Sequence, residues 1–79
     1  MKTGTIIKST SGRDKGSFYV VVGMDGERPI IADGRRRKLE KPKAKNPKHI
    51  SKTNNTIDTT ELTDKKLRAL LHSYNFPQF

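Results

Sequence analysis

The residues with the most chemical potential in this 79-residue chain are its cations, and they are unevenly spread. Positions 34–48 read GRRRKLEKPKAKNPK. There Arg35, Arg36, Arg37, Lys38, Lys41, Lys43, Lys45 and Lys48 face one acid, Glu40, so this stretch carries +7 of the chain's formal +9. A charge imbalance this concentrated is the electrostatic footprint of a polyanion binder. Three successive guanidiniums offer planar forks that grip phosphate through paired bonds or stack on bases. Lys41, Lys43 and Lys45 recur at every second residue. In an extended chain they project to one side, about 6.5–7 Å apart, which is roughly the separation of successive phosphates on a single strand. His49 follows, able to meet a base edge or the backbone. A smaller basic pair, Arg13 and Lys15, lies in Gly12-Arg13-Asp14-Lys15-Gly16. The plainer description of 34–48 is a solvated linker, because like charges repel. Segments with folding patterns flank it on both sides, and that favours a displayed binding surface.

Other chemistry has little support. His49 and His72 lie in different segments, and neither has a carboxylate at dyad or ligand spacing. The chain has no phosphate-binding glycine loop, no nucleophile elbow and no metal quartet, so no enzyme activity, metal or cofactor is expected. With no cysteine, disulfides and thiolate metal sites are excluded. No apolar run approaches a membrane span and no apolar block marks a signal peptide, so the expectation is a cytoplasmic protein without membrane contact. Hydrophobic residues make up 30% and charged residues 32%, a balance that permits one small domain with a modest core.

The elements that must position these cations are mostly strands. Thr5-Ile6-Ile7-Lys8-Ser9-Thr10 is β-branched and followed by turn residues. The 12–16 loop has glycine at each end, where positive φ or close backbone approach is allowed, and Asp14 is placed to order it by accepting backbone N–H groups. Phe18-Tyr19-Val20-Val21-Val22 is the strongest strand, with apolar residues on both faces. Tyr19 is the strand aromatic expected to be accessible. Asp25-Gly26 is a hairpin pair, and 28–32 is the returning strand, with Pro29 at its start or on an edge. Asp33-Gly34 is a second tight turn opening into the basic stretch. Gly12, Gly16, Gly26 and Gly34 are thus the structural turn residues. Lys38-Leu39-Glu40 reads as a short strand with Leu39 inward. The segment between Pro42 and Pro47 reads as an extended loop, and 49–52 as a last short strand. Phe18, Val20, Val22, Ile30, Leu39 and Ile50 are the expected core.

Positions 53–62 read as a linker, and then the period changes. Leu67, Leu70, Leu71 and Tyr74 fall on one helical face, Thr63 is an N-cap, and Leu62 with Leu67 form a hydrophobic staple. The spacing predicts a helix over 63–75 whose apolar face needs a cover. The fold class is therefore mainly β: a small barrel of four to five short strands (1–52) plus one C-terminal α-helix.

These residues resemble a known family. Gly4-Thr5-Ile6-Ile7-Lys8-Ser9, Gly12-Arg13-Asp14-Lys15-Gly16 and Phe18-Tyr19-Val20-Val21-Val22 are similar to the KOW motif of ribosomal and transcription-factor proteins, with Gly16 at the motif's central glycine. Ala32-Asp33-Gly34, Arg37-Lys38-Leu39 and Pro42-Lys43-x-Lys45-Asn46-x-Lys48-His49 resemble small bacterial KOW-domain RNA-binding proteins, akin to the fourteen-e type of large-subunit ribosomal protein. The likeness covers about residues 3–50. It implies an SH3-like barrel, RNA as partner, ribosomal RNA first, and no catalysis. The expectation is then a monomeric RNA-binding protein. It would contact RNA through Arg13, Lys15, Arg35, Arg36, Arg37, Lys38, Lys41, Lys43, Lys45, Lys48 and His49. Backbone and shape recognition fits better than base stacking across a sheet, because exposed aromatics are few. Two other readings stand beside it: a protein-binding adaptor of the transcription or translation machinery, and a general nucleic-acid chaperone. A helix docked on the barrel weakens the adaptor; a free one favours it.

Overall fold

The computed structural model describes residues 1–76. Five antiparallel strands, β1 (Thr5–Ser9), β2 (Phe18–Asp25), β3 (Arg28–Ala32), β4 (Lys43–Ala44) and β5 (Ile50–Thr56), are followed by one helix, α1 (Asp64–Asn75). The strands form a single sheet in the order β4-β3-β2-β1-β5. The mainly β class, the strand count and the C-terminal helix are as the sequence predicts.

The connection between β4 and β5 forces the sheet to curl. These strands lie at opposite edges, yet they are joined by residues 45–49, of which Pro47–His49 are a 3-10 turn. Four inter-strand steps in a flat sheet span ~19 Å. The connection reaches only ~16 Å, since its 3-10 residues rise about 2.0 Å each. The edges must therefore bend toward one another, which gives a small barrel-like shape.

Both faces of β2 are covered, as its unbroken apolar run requires. Ile7, Tyr19, Val21 and Ile31 form one buried cluster, reached from β5 by Ile50. Ile6, Val20 and Ala32 form the opposite face, where Leu67 and Leu71 of α1 close over them, flanked by Phe18, Val22, Leu39, Ile57, Leu62 and Tyr74. This corrects the expected core. Phe18, Val20 and Val22 do share a face, but it is the one under the helix. The inner cluster is built from the residues between them. Ile30 is half-buried and outside both clusters. Leu70 is 44% exposed, so the helical stripe narrows to Leu67, Leu71 and Tyr74. The period-3.6 pattern alone could not tell the centre of that stripe from its rim.

The helix is pinned at both ends by polar side chains. Thr63 caps it, its hydroxyl accepting from the Lys66 N–H at 3.2 Å. The Asp64 carboxylate accepts from the Leu39 N–H at 2.8 Å, tying the start of the helix to the basic stretch. At the far end the Asn75 Oδ1 accepts from the Phe18 N–H at 2.7 Å, standing in for a strand neighbour at the start of β2.

Three local expectations change. Lys38, Leu39 and Glu40 are turn residues, with the Lys41 N–H closing on the Lys38 carbonyl at 3.0 Å. Lys43–Ala44, between the prolines, is a strand, pairing Ile30↔Ala44 and Ile31↔Lys43. The last strand begins after His49 and runs to Thr56, into the stretch read as a linker. Its register with β1 shifts between Thr5 and Ile7, and the Thr53 hydroxyl donates to the Ile6 carbonyl there at 2.6 Å. A polar edge strand in which only two of seven residues are even partly buried carries no apolar alternation to read.

Candidate nucleic-acid interface

The turn glycines set the loops that carry the cations. Gly12, Gly16, Gly26 and Gly34 all have positive φ, as expected of them. Gly34 does more. At φ +76° its Cα faces the first residue of α1, and a Cβ would collide with the Asp64 carbonyl and lie 3.2 Å from its Cα. The basic loop can lie against the helix only because this residue has no side chain.

Asp33 shapes the loop after it. Its Oδ1 accepts from the Arg35 and Arg37 N–H groups, both at 2.9 Å, and the Arg37 carbonyl accepts from the N–H groups of Asp33 and Gly34 at 3.0 Å each. With its backbone closed on itself, the loop turns Arg35, Arg36 and Arg37 outward, and all three are exposed. Asx closure of this kind is a known property of aspartate in turns, so Asp33 before a glycine was the readable signal, though Asp33 was not among the expected site residues.

Three separated segments then meet. Arg13 from the 12–16 loop, Arg36 and Arg37 from the Asp33-anchored loop, and Lys43 and Lys45 around β4 line one open groove of about 800 Å³. Tyr19 and Ile31 lie at its base. A smaller hollow beside it is lined by Lys15, Arg35 and Arg36 with Asn75 and Phe76. Lys43 and Lys45 share a groove as the every-second-residue spacing predicts, but Lys41 belongs to the preceding turn and leaves the row. Lys48 lies at another depression, next to Asp25, Glu27 and Arg28. Lys38, Lys41 and His49 are exposed but line none of these hollows.

Below the groove is a polar knot that the sequence did not disclose. The Asp14 Oδ2 accepts from the Tyr19 hydroxyl at 2.9 Å. Its Oδ1 accepts from the Ser9 hydroxyl at 2.9 Å and pairs with the Lys45 ammonium at 3.4 Å. Asp14 does order its loop, but by taking side-chain hydroxyls rather than the backbone N–H groups expected. Burial opposes its charge, yet the bonds from Tyr19 and Ser9 and the Lys45 cation outweigh that and hold its carboxyl below the usual range. Tyr19 is only 2% exposed, which corrects the expectation of an accessible aromatic. Burial first, and then its bond to Asp14, push its hydroxyl up to about 12. Lys45 is therefore partly committed to structure. Arg13, Arg36, Arg37 and Lys43 keep their charges for an outside partner.

Among the described residues these four cations have no acidic partner, and around a concave groove they concentrate positive potential. The arrangement fits an extended run of phosphates. Among the described residues no helix is long and apolar enough to cross a membrane. Comparison with models of known protein families finds no match, and comparison with curated protein sequences finds none either.

Proposed function

We propose that the chain is a non-catalytic RNA-binding domain of KOW type that docks structured RNA, ribosomal RNA first, through the groove between the 12–16 loop and the 34–45 stretch. The observation that carries this reading is convergence. Arg13, Arg36, Arg37, Lys43 and Lys45 are far apart in sequence yet line one groove. A basic linker has no reason to assemble such a surface. The KOW-like residues 4–22 and the small β fold add support of a weaker kind, since fold alone does not specify function.

The docked helix weakens the protein-adaptor reading. Leu67 and Leu71 are buried against the sheet and so are not presented to a partner. RNA is preferred to DNA on the resemblance, because phosphate contacts are alike in both. Crosslinking in cells followed by sequencing of the bound nucleic acid tests the assignment. The expected result is enrichment of RNA, with structured ribosomal segments foremost. Recovery of DNA, or of no nucleic acid above background, contradicts it.

A further inference from the structure

The groove is not the end of the basic surface. Arg36 lines both the groove and the neighbouring hollow, and Arg35, Asn75 and Phe76 line both that hollow and a third recess at the end of α1. The three depressions thus share walls and form one track. The recess, of about 580 Å³, is lined by Arg35, Arg68, Leu71, His72, Asn75 and Phe76, with Asp33 at its edge. That volume lies within the range of small-ligand sites, roughly 300–1,000 Å³.

Its chemistry differs from that of the groove. Phe76 is 52% exposed, and its ring lies 5.3 Å from the His72 ring and 5.5 Å from the Arg35 guanidinium. Two of the polar groups around it are already engaged. Asp33 accepts from two loop N–H groups, and the Asn75 amide oxygen is bonded to Phe18. Among the described residues Arg35 and Arg68 have no acidic partner, and Arg68 makes one long contact to the Gly34 carbonyl at 3.4 Å. A half-exposed aromatic ring with the Arg35 guanidinium over it and Arg68 lining the same recess, beside the basic groove, is complementary to a planar π system carrying a phosphate.

We propose that this recess takes one unpaired nucleobase of the bound RNA, stacked on Phe76, with Arg35 and Arg68 holding its flanking phosphate. The site rests on the RNA-binding reading and adds to it. The groove grips backbone in any sequence, while the recess requires a base free of its partner. Structured RNA meets both demands where a helix opens into a bulge or loop. Base–aromatic stacking tolerates every base, so the site selects unpaired over paired nucleotides rather than one base over another.

The chain has no tryptophan, so F76W introduces a single indole fluorophore into the recess. RNA binding is followed by anisotropy of a labelled bulged hairpin at low salt, and stacking by quenching of the indole, with base-free polyphosphate as control. The proposal expects the hairpin to quench the indole and polyphosphate to bind without quenching. F76A and F76L should both weaken the bulged hairpin about tenfold, with a matching fully paired duplex and the melting temperature unchanged. F76L separates the ring from its apolar bulk. Binding by anisotropy without quenching, or equal quenching by polyphosphate, overturns the recess and leaves the groove standing. Absence of any RNA binding overturns both.

Discussion

At the scale of single residues, Asp14 gathers the most distant parts of the molecule: Ser9 on β1, Tyr19 on β2 and Lys45 after β4 all end on its carboxylate. D14N removes the charge and leaves Tyr19 and Lys45 poorly matched, so it should cost about 1–3 kcal/mol in chemical unfolding. The pH dependence has a definite sign. The folded carboxyl titrates below the unfolded value near 3.8, so its contribution is full above that pH and fades as pH falls through the folded value. The acid limb of the stability curve below about pH 4 should therefore be shallower in D14N than in the unmodified chain. Tyr19 acts at the other extreme. Its hydroxyl is raised to about 12, so its stabilisation is complete below the unfolded value near 10 and is lost as pH climbs toward 12. Comparing Y19F with the unmodified chain over that interval isolates it. Two glycines make a paired prediction. Gly16 has positive φ with open space around it, so Gly16→Val should cost about 1–3 kcal/mol through backbone strain and not collision. Gly34→Val meets the same strain and also the first residue of α1, so it should lower the melting temperature further than Gly16→Val.

Among the elements, α1 decides whether the sheet has a second core at all. Leu67 is fully buried and packs with Ile6, Val20 and Ala32, so L67A should cost about 2–5 kcal/mol, while L70A on the exposed side should cost little. Thermal unfolding of the two variants reads this out at roughly 4–8 °C per kcal/mol for a domain of this size. The helix was legible because Thr63, Leu62 and the leucine spacing all point to the same element. The strands at Phe18 and Arg28 were legible for the same reason, being β-branched runs joined at a Gly26 turn. Which face of β2 lies inward was not legible, since Phe18 to Val22 are apolar on both sides and only the docked helix distinguishes them. β5 was partly hidden because an edge strand of Ser, Lys, Thr and Asn shows no alternation. β4 was hidden because prolines at 42 and 47 mark an extended segment without saying what pairs with it.

For the molecule as a whole, the charge asymmetry was fully visible in the sequence, but its geometry was not. Nothing local links Arg13 to Lys43. Their meeting depends on the sheet order and on the curl imposed by the short β4–β5 connection. Lys45 looked like one cation among many and is instead the partner of Asp14. The central claim is that the remaining cations bind phosphate, and the dependence of affinity on salt tests it most directly. Taking Arg13, Arg35, Arg36, Arg37 and Lys43 as the free contacts, log K should fall with log salt at a slope of about −3.5 to −4.5. Replacing Arg35, Arg36 and Arg37 together with alanine should flatten that slope by about two to three, with similar loss across RNA sequences if the groove contacts backbone. The measurement is a titration of both proteins against a ribosomal RNA fragment at several salt concentrations. A triple variant that binds as tightly and with the same slope would contradict the account and reduce the basic stretch to a solvated loop.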